Sequence, residues 1–351
     1  MSGTMKVYRL TIEPLTSFRT PLQSDTIFGH LMWALRYTEG EADLEAFLAR
    51  YRDAHPPLLV SAGFPSGTLP VPVLPPALEE ERGLSVADEV VGSMLRKALE
   101  DQAYLPIPEW GELAKALSPE ALRNMRDEIL LGKRPELQAR LRILRETQAA
   151  HPVTRTAVDR VTGSAREGRL FVSMETFYSP GRTFDIWHKL DQAEDGLLKR
   201  LNAWWRWIER NGFGRRKSAG HGAFRIQGHG LVEADGELPH LQDANGFVTL
   251  SAWVPKKSDP TKVTYRTRVK RGKLAEALAV PSPWKKPLLM LEPGAVARLD
   301  PGKTVDEWYG RMVGEMHWVG ESVPDAQRQA VNNVVQYGYA FPLPVNVEEG
   351  A

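Results

Sequence analysis

The sequence of 351 residues contains no cysteine. Its absence excludes disulfide bonds, thiolate nucleophiles and zinc sites with cysteine ligands. The chain also lacks any run of about 18 consecutive apolar residues, the length that a transmembrane helix needs. Its first residues, MSGTMKVYRLTIEP, include no long apolar stretch followed by a small-residue cleavage site. These absences lead us to expect a soluble cytoplasmic protein with no membrane contact.

A strong charge imbalance is missing too, since the formal net charge is only +1. If the partner is a nucleic acid, local basic clusters must therefore supply the attraction. Hydrophobic residues make up 42% of the chain and charged residues 25%, a composition typical of a folded globular protein. The length favours two domains.

The order of predicted elements indicates an α+β fold. The segment KVYRLTIEPL predicts a first strand, and the spacing of Ile27, Leu31 and Leu35 predicts an amphipathic helix after it. A second amphipathic pattern, LLKRLNAWWRWIERNG, ends at Gly212, and several short strand patterns follow. We interpret this order as two ferredoxin-like (RRM-like) units. The expected divisions are an N-terminal domain over 1–228, with a helical insertion at about 78–150 and a protruding β-hairpin at about 155–178, and a second, degenerate β-rich domain over 229–351.

Four glycines and three adjacent basic residues lie together in NGFGRRKSAGHGAF, residues 211–224. The glycines have neither P-loop spacing nor the dinucleotide-binding spacing, so we expect no nucleotide cofactor. Bare backbone amides beside basic side chains favour contact with the sugar-phosphate chain of single-stranded nucleic acid. The candidate RNA-binding residues of this loop are Gly212, Gly214, Arg215, Arg216, Lys217, Ser218, Gly220 and His221. The alternative is a flexible, solvated basic turn.

This loop resembles the glycine-rich signature loop of the RAMP superfamily of CRISPR proteins. Three further segments resemble the Cas5-group subunit of type III-A (Csm-type) effector complexes: PLTSFRTPLQSDTIFGHLMWAL, VTRTAVDRVTGSAREGRLFVSMETFY and NVVQYGYAFPLPV. The resemblance implies a non-catalytic subunit that holds the 5′ handle of the CRISPR RNA (crRNA). It also implies contacts with the guide-target duplex, the large polymerase-like subunit and the backbone RAMP subunit.

The resemblance assigns further residues to the site. The hairpin resembles the thumb that members of this superfamily push into the guide-target duplex, and here it would be built from Arg155, Asp159, Arg160, Thr162, Gly163 and Phe171. An apolar wedge unstacks a base step while adjacent arginines hold phosphates; a purely structural hairpin is the alternative. Ser17 and Arg19, in the loop before the first helix, are expected to add to the handle site. Ser24 or Asp25 is expected to cap that helix.

His30 leaves a second function open, because RAMP relatives that process guide RNA use a histidine on an early helix as general acid or base. Helical spacing places His30 away from the apolar face, which predicts that it is available to a partner. The rival interpretation is therefore an endoribonuclease, and a third is a scaffold whose RNA contacts are incidental. We expect no catalysis, and no metal either, since the histidines lack HExxH or paired ligand spacing.

A second basic pattern lies in KVTYRTRVKRGKL, residues 262–274. Its residues Lys262, Arg266, Arg268 and Lys270 are expected on one face of a single strand, because side chains alternate along a strand. This face would extend the RNA track or meet an acidic partner. An exposed edge strand protected by positive charge is an equally good interpretation.

Overall fold

Six helices and a set of mostly short, antiparallel strands make up the described part of the molecule. A computed structural model describes residues 5–76, 103–146, 148–158, 161–274, 284–314 and 334–348. The helices are α1 (Ser24–Thr38), α2 (Glu41–Arg52), α3 (Ile107–Ala114), α4 (Pro119–Leu130), α5 (Pro135–Glu146) and α6 (Leu197–Asn211). The strands are β1 (Met5–Pro14), β2 (Leu58–Pro65), β3 (Thr68–Pro70), β4 (Tyr104–Pro106), β5 (Gln148–Val158), β6 (Ala165–Tyr178), β7 (Phe184–Asp191), β8 (Phe224–Ile226), β9 (Val232–Glu233), β10 (Gly246–Thr249), β11 (Lys262–Thr264), β12 (Thr267–Lys270), β13 (Leu288–Leu291), β14 (Val296–Arg298), β15 (Tyr309–Gly310), β16 (Tyr339–Ala340) and β17 (Pro342–Val345).

Both predicted amphipathic helices form, and each buries its apolar face. Ile27, Leu31 and Leu35 of α1 have no exposed surface. The buried face of α6 consists of Leu197, Leu201, Trp204, Trp205 and Ile208. Each large apolar side chain buried in this way stabilises the fold by about 1.5–3 kcal/mol. The helix ends where Gly212 takes a φ of +78°, a backbone conformation that favours glycine.

The first sheet has the strand order β2-β7-β1-β8, and β9 also pairs with β1. All of its pairings are antiparallel. The central pair runs from Met5 opposite Asp191 to Ile12 opposite Phe184. Helix α1 connects β1 to β2 by way of α2, and α6 connects β7 to β8. If only the four strands of this sheet and the helices α1 and α6 are considered, their order along the chain is strand, helix, strand, strand, helix, strand. The glycine-rich loop lies between α6 and β8.

The C-terminal part of the chain is largely β, as predicted. Its main sheet has the order β11-β14-β10-β17, and smaller two-stranded sheets pair β12 with β13 and β15 with β16. One apolar core reaches from Met5 in β1 to Val347 after β17. The division at 228/229 remains a prediction, and β9 on the far side of it pairs with the first sheet.

The described part of the insertion is largely helical. Residues 103–146 contain β4 and helices α3 to α5, whereas 77–102 lie outside the described residues. The hairpin of β5 and β6 follows and begins at Gln148, seven residues before the predicted start at 155. Within the described ranges no helix is both long enough and apolar enough to cross a bilayer.

Candidate nucleic-acid interface

The glycine-rich loop, residues 212–222, depends on glycine for its own packing. Gly212, Gly214, Gly220 and Gly222 all have positive φ, and so does Arg216 at +57°. At Gly222 a Cβ would lie 1.9 Å from the carbonyl oxygen of Phe213, a distance that no side chain tolerates. Part of the bare backbone that the sequence shows is therefore needed for the two ends of the loop to pack against each other.

Several backbone amides of the loop bind groups within the protein. Phe213 N–H donates to the Gly222 carbonyl (2.9 Å), and Gly222 N–H donates to the Ser17 carbonyl (3.1 Å). Arg215 N–H donates to Thr20 Oγ1 at 3.0 Å. The expectation that the loop amides face a ligand is wrong for these donors, because the loop between β1 and α1 and the loop's own backbone supply their acceptors. The side chains, not these amides, are what the loop presents outward.

His30 of α1 contacts the glycine-rich loop through a hydrogen bond and a ring contact. Its Nε2 accepts a hydrogen bond from Gly214 N–H at 3.0 Å, and its ring lies 4.7 Å from that of Phe213. Burial, together with the charges of Lys217 and Lys270, lowers the pKa of His30 to about 4. The imidazole is thus neutral at pH 7 and carries its proton on Nδ1. The prediction that His30 is available to a partner is wrong for Nε2, since the loop occupies that atom.

The basic side chains of the loop point to solvent, as predicted. Arg215, Arg216, Lys217 and Ser218 are all exposed. The Lys217 ammonium lies 5.6 Å from the centre of the Trp207 ring, within the range of a cation–π interaction. His221 is different, because it is buried with 6% of its surface exposed.

A buried carboxylate, Glu175 of β6, joins the loop to the hairpin. Only 2% of it is exposed. Its Oε1 accepts hydrogen bonds from Arg155 Nη2 (2.7 Å), Arg155 Nε (3.0 Å) and Ser173 Oγ (3.2 Å), and its Oε2 accepts one from Ser17 Oγ (3.3 Å). Burial alone would raise the pKa of this carboxyl, but the hydrogen bonds from Arg155 and Ser173 outweigh it and hold the pKa below its ordinary value.

His221 and Arg19 complete this Glu175 cluster. Arg155 Nη2 donates to His221 Nε2 (3.1 Å), which assigns the imidazole proton to Nδ1, 2.9 Å from Ser17 Oγ. Arg19 Nε lies 3.9 Å from Glu175 Oε1. Burial, and then the charge of Arg216, lowers the pKa of the Arg19 guanidinium. The cluster therefore holds two guanidinium groups around one carboxylate.

The Glu175 cluster unites three segments that the sequence could only propose separately. Ser17 and Arg19 come from the loop after β1, Arg155 from the hairpin and His221 from the glycine-rich loop. Backbone hydrogen bonds in both directions between Phe18 and Thr176 (2.9 Å each) fix the root of the hairpin to the first of these segments. The structure thus brings these four candidate residues together at one place.

The hairpin itself is formed as predicted, with β5 and β6 paired from Gln148 opposite Tyr178 to Val158 opposite Ala165. Val172 and Met174 of β6 are 62% and 59% exposed, and Val161 at the tip is 94% exposed. Thr162 and Gly163 lie in the turn, where Gly163 has a φ of +66°. Asp159, Arg160 and the side chain of Phe171 lie outside the described residues.

Comparisons with known proteins show which solved structures have a similar fold. No protein-family model and no curated protein sequence matches the chain. Solved structures do match. A chain in the crystal structure of a Csm3-Csm4 subcomplex of the type III-A CRISPR-Cas interference complex is 16% identical, with a TM-score of 0.61 over 97% of this chain and 100% of that one. A chain in the Csm1-Csm4 cassette in complex with cA4 is 18% identical, with a TM-score of 0.53 over 98% and 100%.

The chain has the Csm4 fold. The resemblance to the Cas5-group RAMP subunit, inferred from four sequence segments, is thereby confirmed at the level of the fold. The similarity extends over 97% of the chain, so it includes the C-terminal β-rich part as well as the first sheet.

A second buried carboxylate in this Csm4 fold corrects two predictions. Asp25 forms ion pairs with Arg268 and Lys270, both at 2.7 Å, and accepts a hydrogen bond from Gln336 at 2.9 Å. It does not cap α1, and neither does Ser24, whose Oγ accepts from Ala252 N–H. Burial would raise the pKa of Asp25, but Lys270 and Arg268 lower it.

The second basic pattern is therefore not one exposed face. Residues 262–264 and 267–270 form two strands, β11 and β12, which pair with different neighbours. Arg268 and Lys270 face inward to Asp25, while Lys262 and Arg266 are exposed. For Arg268 and Lys270, the acidic partner that was one of the alternatives for this segment is Asp25 of the same chain.

Sequence reasoning missed Glu175 and Trp207. Glu175 alternates with exposed Met174 along β6, the pattern of a strand with one buried face, but nothing in that pattern marks a carboxylate as the centre of a cluster. In the described ranges, no three histidine or acidic residues come together in a way that could hold a metal ion.

Proposed function

We propose that this chain is the non-catalytic crRNA-binding subunit of a type III-A CRISPR effector complex, where it holds the 5′ handle and bridges the large polymerase-like subunit to the backbone RAMP subunits. The observation that carries the proposal is the Glu175 cluster. It brings the glycine-rich loop, the root of the hairpin and the loop after β1 to one place, beside exposed Arg215, Arg216 and Lys217.

The charge at this place suits a phosphate chain. Glu175 balances only one of the two guanidinium groups that it contacts, Arg155 and Arg19. Arg19 Nη1 is buried and has no hydrogen-bond acceptor among the described residues. Buried donors without acceptors are rare in folded proteins, so this one supports a site completed by an anion. Exposed Arg215 and Arg216 add to the positive surplus that phosphate contacts require.

The hairpin supports a second contact, with the guide-target duplex. Val161 at its tip and Val172 and Met174 along β6 expose apolar surface on a projecting element. Apolar side chains of this kind unstack base steps when they are inserted into a duplex. The hydrogen bonds between Phe18 and Thr176 fix the root of the hairpin beside the loop after β1, which supports a wedge next to the proposed handle site.

The fold supports the two proposed protein partners. The similar chains come from crystal structures of Csm1-Csm4 and Csm3-Csm4 assemblies, which supports a large subunit and a backbone RAMP subunit as partners of this chain. The strand order β2-β7-β1-β8, with its strand-helix-strand-strand-helix-strand succession, supports the expected ferredoxin-like form of the first unit.

We also propose that the chain has no nuclease activity. A general acid must carry a proton near pH 7, whereas burial lowers the pKa of His30 to about 4. The Nε2 that a general base would use accepts the Gly214 N–H. Repeat RNA incubated with the wild-type chain and with His30→Ala tests this directly. Cleavage by the wild type that the variant loses would establish the endoribonuclease instead.

The test of RNA binding is a co-expression of the chain with its genomic neighbours and a CRISPR array. Ultraviolet crosslinking of the purified assembly, followed by mass spectrometry, should give guide-RNA adducts on peptides from residues 212–222 and 148–178. An assembly that contains guide RNA but no adduct on this chain would favour the scaffold.

A matched pair of double variants makes the test quantitative. Arg215→Ala with Arg216→Ala removes two exposed charges from the loop, and Lys262→Ala with Arg266→Ala removes two from the second half of the chain. Affinity for a single-stranded oligoribonucleotide of repeat-derived sequence should fall only in the loop variant. Its slope of log affinity against log salt should lessen by roughly 0.7 for each phosphate that the variant no longer neutralises. Equal affinities in the two variants would contradict the role of the loop.

A further inference from the structure

Three aromatic side chains form a ladder on the outer surface between α1 and α6. The Tyr37 ring lies 5.7 Å from Trp33 at an interplanar angle of 25°, and 5.3 Å from Trp207 at 13°. A cation lies over each end. The Arg36 guanidinium is 5.2 Å from the centre of the Trp33 ring, and the Lys217 ammonium is 5.6 Å from that of Trp207. Through Lys217 this aromatic ladder adjoins the glycine-rich loop.

The ladder lies outside the fully buried part of the core. Tyr37 is 50% exposed, and Trp33 and Trp207 are half-buried. On the same helix α6, Trp204 and Trp205 are almost completely buried and supply its contact with the core. Trp207 also packs against the core but is only partly buried, so part of its ring surface is left for a ligand.

Charge around the ladder favours an anionic ligand. The nearby carboxylates are already used within the chain: Arg36 pairs with Glu41, Arg200 with Glu39, and Arg206 with Glu209. Lys217, Arg215 and Arg210 have no acidic partner in the described part of the chain, and all three are exposed. Stacked rings next to unpaired cations are the two features by which proteins bind single-stranded nucleic acid without reading its sequence.

We propose that Trp207 stacks a base of single-stranded RNA in the place where Lys217 now covers its ring. Lys217 then turns to the phosphate of that nucleotide, and Tyr37 and Trp33 support the indole from behind. The proposal rests on the proposed function, because it extends the RNA path from the glycine-rich loop along α6. Exchange of a cation–π contact for a base stack keeps the ring covered in both states.

The experiment measures binding of the full chain to a fluorescein-labelled, single-stranded oligoribonucleotide of repeat-derived sequence, and to versions with one abasic nucleotide at each position. Trp207→Ala should weaken binding roughly 5- to 140-fold, the range to which about 1–3 kcal/mol per stacked base converts at about 1.4 kcal/mol per decade. Trp207→Phe, which keeps a ring, should lose much less. One abasic position should weaken the wild type and have no further effect on Trp207→Ala.

The matched control is a tyrosine of the same exposure elsewhere. Tyr37 is 50% exposed and Tyr265, on the second half of the chain, is 52% exposed. Tyr37→Ala should weaken binding, because it removes the ring against which Trp207 stacks, whereas Tyr265→Ala should not. If Trp207→Ala does not fold, ultraviolet crosslinking of the wild type decides, since adducts on the peptide that contains Trp207 support the proposal and adducts confined to 212–222 overturn it.

The outcomes separate this inference from the proposed function. If the double variant of Arg215 and Arg216 loses affinity while Trp207→Ala, Tyr37→Ala and Tyr265→Ala all bind as the wild type does, the ladder only packs α1 against α6 and the inference fails alone. The same holds if no abasic position couples to Trp207. If the wild-type chain binds no RNA with any dependence on the loop arginines, both fail together.

Discussion

Two glycines of the same loop provide a controlled test of why its backbone is bare. Gly222 and Gly220 both have left-handed backbone, with φ of +72° and +85°. A Cβ at position 222 would lie 1.9 Å from the oxygen of Phe213, whereas a Cβ at position 220 would meet no atom within 4 Å. Gly222→Ala and Gly220→Ala therefore share the backbone strain and differ in the steric clash.

The difference can be estimated from the contacts. Left-handed backbone costs an alanine about 1–2 kcal/mol, which applies to both variants. Relief of the clash at 222 must also separate Gly222 from Phe213 and from Ser17, and so breaks the hydrogen bonds of 2.9 Å and 3.1 Å between them. At about 1 kcal/mol for each bond, we expect Gly222→Ala to cost about 3–4 kcal/mol of unfolding free energy and Gly220→Ala about 1–2 kcal/mol.

Urea denaturation of the full chain, followed by circular dichroism, measures both values. Affinity for the repeat-derived oligoribonucleotide gives a second measurement, since displacement of Ser17 disturbs the Glu175 cluster in Gly222→Ala only. Equal loss of stability in the two variants would refute the reasoning, because it would mean that the loop relaxes around the new methyl group and that its packing does not require glycine at 222.

Three further predictions concern buried ionisable groups. Glu175→Gln should cost about 2 kcal/mol, the value of a hydrogen bond to a charged group, and an unchanged urea midpoint would contradict the role of the cluster. Asp25→Asn leaves Arg268 and Lys270 without their buried carboxylate and should cost about 3–5 kcal/mol, so a decrease below about 1 kcal/mol would show that water replaces it. Burial lowers the pKa of His30 to about 4 and of His188 to about 3 from an ordinary 6.5. As the pH falls, these two histidines therefore take up protons in the unfolded chain before they do so in the folded chain. From its value above pH 6.5, the free energy of unfolding should fall by about 1.4 kcal/mol per pH unit for each histidine as the pH drops to 4. A His30→Gln variant with the same pH dependence of stability as the wild type would disprove the contribution of His30.

The parts of the fold that the sequence predicts are those fixed by local pattern. The apolar faces of α1 and α6 follow from a period of 3.6 residues, which is independent of distant partners. The Glu175 cluster could not be derived in this way, because Ser17 and His221 lie 158 and 46 residues from the carboxylate that collects them. The resemblance to a family identified the segments as candidates for the site. Only the structure shows that they contact one another.

Asp25 is a second residue whose partners the local sequence could not predict. A small acidic residue in the first turn of a helix favours a capping role when only local sequence is considered. Its real partner Arg268 is 243 residues away, and no periodicity carries that information. The segment around Arg268 likewise predicts one strand, because alternation continues through Thr264 to Thr267 even though the pairing partner changes there.

The placement of Asp25 bears on how the chain folds as it leaves the ribosome. Helix α1 lies near the start of the chain, yet its first turn is completed by Arg268, Lys270 and Gln336. Strand β1 likewise gains hydrogen-bonded neighbours on both edges only after β7 and β8 have been synthesised. Domains generally fold as units during synthesis. The buried charge of Asp25 therefore stays without its full set of partners until residue 336 has been made, so a nascent chain must keep this segment soluble over the 311 residues that separate the two positions.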